Sequence, residues 1–137
     1  MGVTAGLHLL EELVGLATAD HTKTDQALSL AAEAVRSGRV TRENASQAIA
    51  KARTALERAD AREAIAWALL AMETARVGKW ILELALALET LGHAAASASM
   101  TEQAIDAFND AADLFDLAGD TEQADEARSI LAATKAL

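Results

Sequence analysis

The chain has 137 residues, no proline and no cysteine, and its 52% hydrophobic content includes only 3% aromatics. Alanine and leucine must therefore supply the core of what reads as one domain. Ordinary usage would place about seven prolines in such a chain, so their absence predicts helices joined by short turns, with no strands.

Missing cysteine excludes a disulfide framework and thiolate chemistry, and fits a reducing compartment. The net charge of −9 is unevenly spread: residues 1–35 carry −4, 36–79 carry +4, 80–98 carry −2 and 99–137 carry −7. The acidic end argues against nucleic acid as a partner, because phosphate neutralisation needs a basic face. The opposite signs of the middle and the end leave self-association into a homo-oligomer open. The start MGVTAGLHLL lacks the basic region of a secretion signal. The apolar run around Trp80–Leu88 is broken by Glu83 and closed by Glu89, too short and too charged to span a membrane. A cytoplasmic protein is expected, and alanine with arginine in excess over lysine suggests a bacterial source.

In chain order, the first helix is expected from Thr4 to Ala17, burying Leu7, Leu10, Val14 and Ala17. After a turn at Asp20–Thr22, Thr24 is the expected N-cap of a second helix that buries Ala27, Leu28, Ala31, Ala34 and Val35 and stops at Gly38. Thr41 opens a third helix with Ala45, Ala48, Ile49, Ala52, Ala55, Leu56 and Ala59 inward. Asp60 and Glu63 read as a capping box for a fourth, which Gly78 ends. The stretch from Lys79 to Ala98 is apolar on nearly all sides, leaving Glu83, Thr90, Ala94 and Ser97 as a narrow polar strip. Such a helix must be covered on both sides, which places it mid-fold. Thr101 is the expected cap of a sixth helix with Ala104, Phe108, Ala111, Phe115 and Ala118 inward, and Thr121 begins a seventh.

The second, fourth and sixth helices share a spacing: Ala27, Ala31, Ala34; Ala64, Ala68, Ala71; Ala104, Phe108, Ala111. Twelve residues before each first member stands a small residue, Gly15, Ala52 or Gly92, and three further on another, Thr18, Ala55 or Ala95. A fixed offset of this kind is the mark of a repeat. On these residues the chain resembles the tetratricopeptide repeat family. Leu88, Leu91, Gly92 and Ala95 stand at its first-helix positions, and Ala104, Phe108 and Ala111 at its second-helix positions. The first two copies are degenerate, with Glu11 and Ala48 at the bulky first-helix position and Lys51 at the leucine. The family's tyrosine and closing proline are missing throughout.

The resemblance implies an all-α fold: six to seven antiparallel helices stacked as αα-hairpins in a right-handed superhelix. Repeats would cover about 8–40, 41–78 and 79–118, with a capping helix over 121–136. It also implies a non-catalytic adaptor or scaffold that binds a protein or peptide partner in a concave groove. Carried over position by position, that groove comprises Leu9, Glu12 and Leu16; Ile49, Arg53, Leu56 and Glu57; and Leu86, Glu89 and His93. The competing expectation for its leucines is ordinary core, and a capping helix filling the groove would make them so.

No cofactor or metal site is expected. His8 with Glu12 and Glu89 with His93 share helix faces, but the Glu-x-x-His and HExxH patterns are absent. Asp110, Asp113, Asp116 and Asp120 lack the alternation of a calcium loop and read as a solvated face. No serine sits in a glycine elbow and no phosphate loop exists, so no enzymatic activity is expected. Trp67 and Trp80 flank the turn at Gly78; they read as core, with a shared small-molecule pocket as the alternative.

Overall fold

The computed structural model describes residues 2–137 as seven α-helices and one 3₁₀ turn, with no strand among them. The helices are α1 Val3–Ala19, α2 Thr24–Arg36, α3 Arg42–Glu57, α4 Ala61–Gly78, α5 Ile81–Ser97, α6 Thr101–Leu117 and α7 Thr121–Lys135. The 3₁₀ turn, His21–Lys23, leads into α2.

The turns are near-copies of one another. At the end of each of α2 to α6 one residue takes the left-handed conformation: Gly38, Ala59, Lys79, Ser99 and Gly119. The next N–H then reaches back to the carbonyl five residues earlier, as in Asp60 to Ala55 and Trp80 to Ala75 at 2.9 Å, Met100 to Ala95 at 2.8 Å and Asp120 to Phe115 at 2.9 Å. This is the Schellman closure, which satisfies carbonyls the helix end leaves free. From Asp60 onward the same donor residue is also the N-cap of the following helix. Left-handed positions at 38, 59, 79, 99 and 119 mean that one helix plus its turn recurs every 20 or 21 residues. The 40-residue offset between Ala64 and Ala104 follows from this period. The 37-residue offset between Ala27 and Ala64 is shorter because α2 has only 13 residues, against 18 in α4.

Short turns force consecutive helices to run antiparallel. From α3 onward each helix packs on the next, and α3 also lies beside α5. The first pair is arranged differently: α1 lies over both α3 and α4, and α2 packs on α1 and α4. The core is built from alanines that let backbones approach, with Leu10, Leu70, Phe108 and Phe115 filling the larger gaps. Gly92 in α5 is part of that design. A Cβ there would lie 2.7 Å from the Phe108 ring, so the glycine admits the aromatic from α6.

Two buried polar groups tie the helices together. Asn44 is fully buried and donates to the Val3 carbonyl (2.8 Å) and to Gln47 (3.0 Å), while its oxygen accepts from the Thr41 N–H (3.0 Å). It thereby completes the cap of α3 and anchors the start of α1. Glu83 is buried in the first turn of α5 and accepts from Arg42 Nε at 2.7 Å.

Several local expectations are corrected. Ala59 and Ala118, expected on buried helix faces, lie exposed in the turns that follow α3 and α6. Thr24 and Thr101 are the first residues of their helices, not their caps; Lys23 and Met100 hold the cap positions without a side-chain bond. Asp60 does accept from the Glu63 N–H (3.1 Å), but the Glu63 carboxylate turns to Arg58 (2.6 Å) instead of closing the capping box. Gly78 is the last helical residue of α4, and Lys79 makes the left-handed turn. Gly78 is required for a different reason: a Cβ there would meet the Trp80 indole at 2.5 Å. The central position of α5 matches its apolar surface, with α3, α4 and α6 packed around it. Of its expected polar strip, Glu83, Thr90 and Ala94 are inside, and only Ser97 is exposed. Ile81, Leu82, His93 and Ala96 are exposed as well.

Candidate interaction face and cleft

The side-by-side placement of α3 and α5 brings Arg53 to 4.0 Å from Glu89. His93 follows Glu89 by one turn and sets its ring edge-on to Phe108 of α6, with centroids 5.0 Å apart. Glu126 of α7 lies close enough for its charge to act on both Glu89 and His93. Burial raises the Glu89 pKa above the ordinary carboxylate value; Arg53 opposes that shift and Glu126 adds to it. Burial also lowers the His93 pKa, helped by Arg53 and resisted by Glu126. Both groups thus sit at the boundary between core and solvent, where ionisation is hindered and charge is only partly compensated.

Of the ten groove residues expected from the sequence, the structure joins Arg53, Glu89 and His93 into this cluster. Glu12 and Glu57 are exposed. Leu9, Leu16 and Leu86 are half-buried and pack on the main core, and Leu56 packs near Ala55, Ala64 and Ala94. Ile49 is only 3% exposed and belongs to the core itself. Sequence reasoning missed two members of the face. Leu82, 37% exposed, stands one turn before Leu86 and was legible from that spacing. Glu126 was not, because its position depends on how α7 packs.

A second feature lies on the opposite side of α1 and α3. The two helices are clasped at one end, where a Cβ on Gly6 would overlap Asn44 Oδ1 at 2.1 Å. Nine residues on, at Gly15, a Cβ would meet nothing within 4 Å. The gap is a cleft of about 860 Å³ between α1, the end of α3 and the start of α4, with Trp67 and Val14 among its lining residues. Gly15 and Thr18 line it too, although their counterparts Ala52, Ala55, Gly92 and Ala95 are buried at helix contacts. Trp80 is absent from the cleft. It follows Trp67 by 13 residues, about 20 Å along a helix, so the two indoles do not share a pocket.

Among the described residues no three metal-ligating side chains converge, and no helix is long and apolar enough to cross a membrane. No family model, no curated protein and no solved structure matches the chain.

Proposed function

We propose that this chain is a non-catalytic, tetratricopeptide-like interaction module that binds a peptide segment of a partner protein along α3 and α5. The observation that carries the reading is a line of α5 that its neighbours leave open: Leu82, half-buried Leu86 and Glu89, and His93, flanked by Arg53. Apolar anchors beside a few charges suit recognition of a peptide, where leucines supply area and charged groups set register. The regular helix-and-turn period and the small residues at Ala52, Ala55, Gly92 and Ala95 support the family reading. The packing of α2 on α4 is a departure in the first copy. In this reading the protein works in the cytoplasm and needs no cofactor, membrane or nucleic acid.

The test is selection from a random peptide display library, with wild type beside an Arg53→Glu/Leu82→Glu variant of unchanged helicity. Peptides retained by the wild type and lost by the variant support the reading. Peptides bound equally by both remove this face from the account.

The alternative, self-assembly, draws on the exposure of Glu102, Asp106, Asp110 and Asp113 along α6. None of the four lies within ion-pair distance of a cation among the described residues. That acidic face would dock on the basic α3–α4 region of a neighbour. It requires a sedimentation coefficient that rises with concentration and collapses in high salt.

A further inference from the structure

Negative charge on the α3–α5 face is short of counter-charge. Glu89 keeps only 13% of its side chain in solvent, and among the described residues its carboxylate accepts no hydrogen bond. Its one cation is Arg53, at 4.0 Å, with half of that side chain in solvent. Glu126 of α7 is exposed and lies within ion-pair distance of no cation among the described residues, yet its charge acts on both Glu89 and His93. Glu57, one turn beyond Arg53 on α3, is likewise exposed and unpaired. The other cations nearby are committed: Arg42 to Glu83, and Arg128 to Asp116 and Asp125. His93 adds no positive charge at neutral pH, because burial lowers its pKa. Three carboxylates therefore share this region with one arginine, while one and two turns before Glu89 the same line of α5 is leucine.

We infer that the partner segment is basic and amphipathic: it lays apolar side chains on Leu82 and Leu86 and sets a lysine or arginine against Glu89 and Glu126. This rests on the peptide-binding reading above and adds the chemistry of the partner to it. A carboxylate largely withdrawn from water is costly without a donor, and an incoming ammonium or guanidinium supplies the charge-assisted hydrogen bonds that Arg53 does not. An acidic segment would bring a further negative charge against three, so the face discriminates by repulsion as well as attraction. From Leu82 to Glu89 is two helical turns, roughly 10 Å, which an extended peptide spans in about three residues. The recognised pattern is then an apolar residue with a cation three positions away.

The probes are three peptide display libraries with a fixed leucine, identical except that the position three residues away is lysine, glutamine or glutamate. The lysine library should yield binders enriched roughly tenfold or more over the other two. A peptide selected from it, titrated by calorimetry, should bind roughly tenfold more weakly to Glu89→Gln/Glu126→Gln, and its glutamine-substituted form should bind wild type and variant alike. Glu102→Gln/Asp106→Gln on α6 should leave its affinity unchanged, which separates this site from general attraction to a chain of net charge −9. Circular dichroism of each variant separates lost binding from lost folding. Equal enrichment from all three libraries, lost in Leu82→Ser, overturns the inference and leaves the peptide-binding reading standing. Enrichment from none overturns both. The inference also falls if lysine peptides bind Glu89→Gln/Glu126→Gln undiminished, or weaken equally in the α6 variant.

Discussion

Gly15 and Gly92 stand at equivalent places in the sequence pattern, yet the structure assigns them opposite mechanical roles. Gly15→Ala adds a methyl to a solvent-exposed helix position with no neighbour within 4 Å. Only the backbone term remains, and alanine in a helix interior is favoured over glycine by about 0.5–1 kcal/mol. Gly15→Ala should therefore stabilise the fold, raising Tm by about 2–4 °C for a domain of this size. Gly92→Ala gains the same backbone term but places Cβ 2.7, 2.8 and 2.9 Å from three Phe108 ring atoms. Phe108 is 1% exposed and edge-on to His93, so it has little room to retreat. Overpacking of this kind costs about 1–3 kcal/mol, which leaves Gly92→Ala destabilised by up to about 2 kcal/mol. Urea denaturation followed by circular dichroism measures both, and the two variants should move to opposite sides of wild type. Equal shifts of the same sign would refute the assignment of one glycine to a tight helix contact and the other to an open cleft.

Asp120→Ala removes the side-chain acceptor of the Gln123 N–H (3.1 Å) and should cost about 1 kcal/mol in urea unfolding. Ser99→Gly relieves a non-glycine residue held at φ +61° and should stabilise by a few tenths to about 1 kcal/mol, read as a rise in Tm. Asn44→Leu should cost about 3 kcal/mol or more, because Val3, Thr41 and Gln47 lose their partner inside the core. The folded-state pKa of His93 lies below 6.5, so its contribution to stability is present above that pH and is lost as pH falls through the folded value. Glu89 has a folded pKa above 4.5, and its contribution is present below 4.5 and lost as pH rises through the folded value. His93→Gln should therefore lose less stability than wild type between pH 7 and pH 5. Glu89→Gln should gain stability at pH 7 and not at pH 4. Urea midpoints across that range check both.

How much of this was legible beforehand depends on whether a residue's environment is local. The helices and most of their breaks follow from composition and glycine placement, and the buried position of α5 follows from its own leucines and alanines. Which line of α5 stays open does not. Glu83 looks like a surface residue until Arg42, 41 positions earlier, is brought against it. Thr90 hides its hydroxyl on the Leu86 carbonyl, and Ala94 is covered by Ala55 and Ala64. The 20-residue turn period was equally invisible, because Ala59, Lys79 and Ser99 adopt a conformation their side chains disfavour. Small residues were read correctly as sites of close helix approach at Ala52, Ala55, Gly92 and Ala95. The same residue types at Gly15 and Thr18 line a cleft, because α1 meets α3 closely at Gly6 and stands clear of its neighbours at Gly15. Sequence spacing marks where helices are able to meet, and tertiary packing decides whether they do.

The central claim is that α3 and α5 carry the recognition surface, and amide chemical-shift mapping with a library-selected peptide tests it most directly. The account predicts saturable shifts concentrated at Arg53, Leu82, Glu89 and His93, with Glu126 moving alongside them. Shifts confined to the α6 acidic face or to the Gly15 cleft, with the α3–α5 face silent, would contradict it.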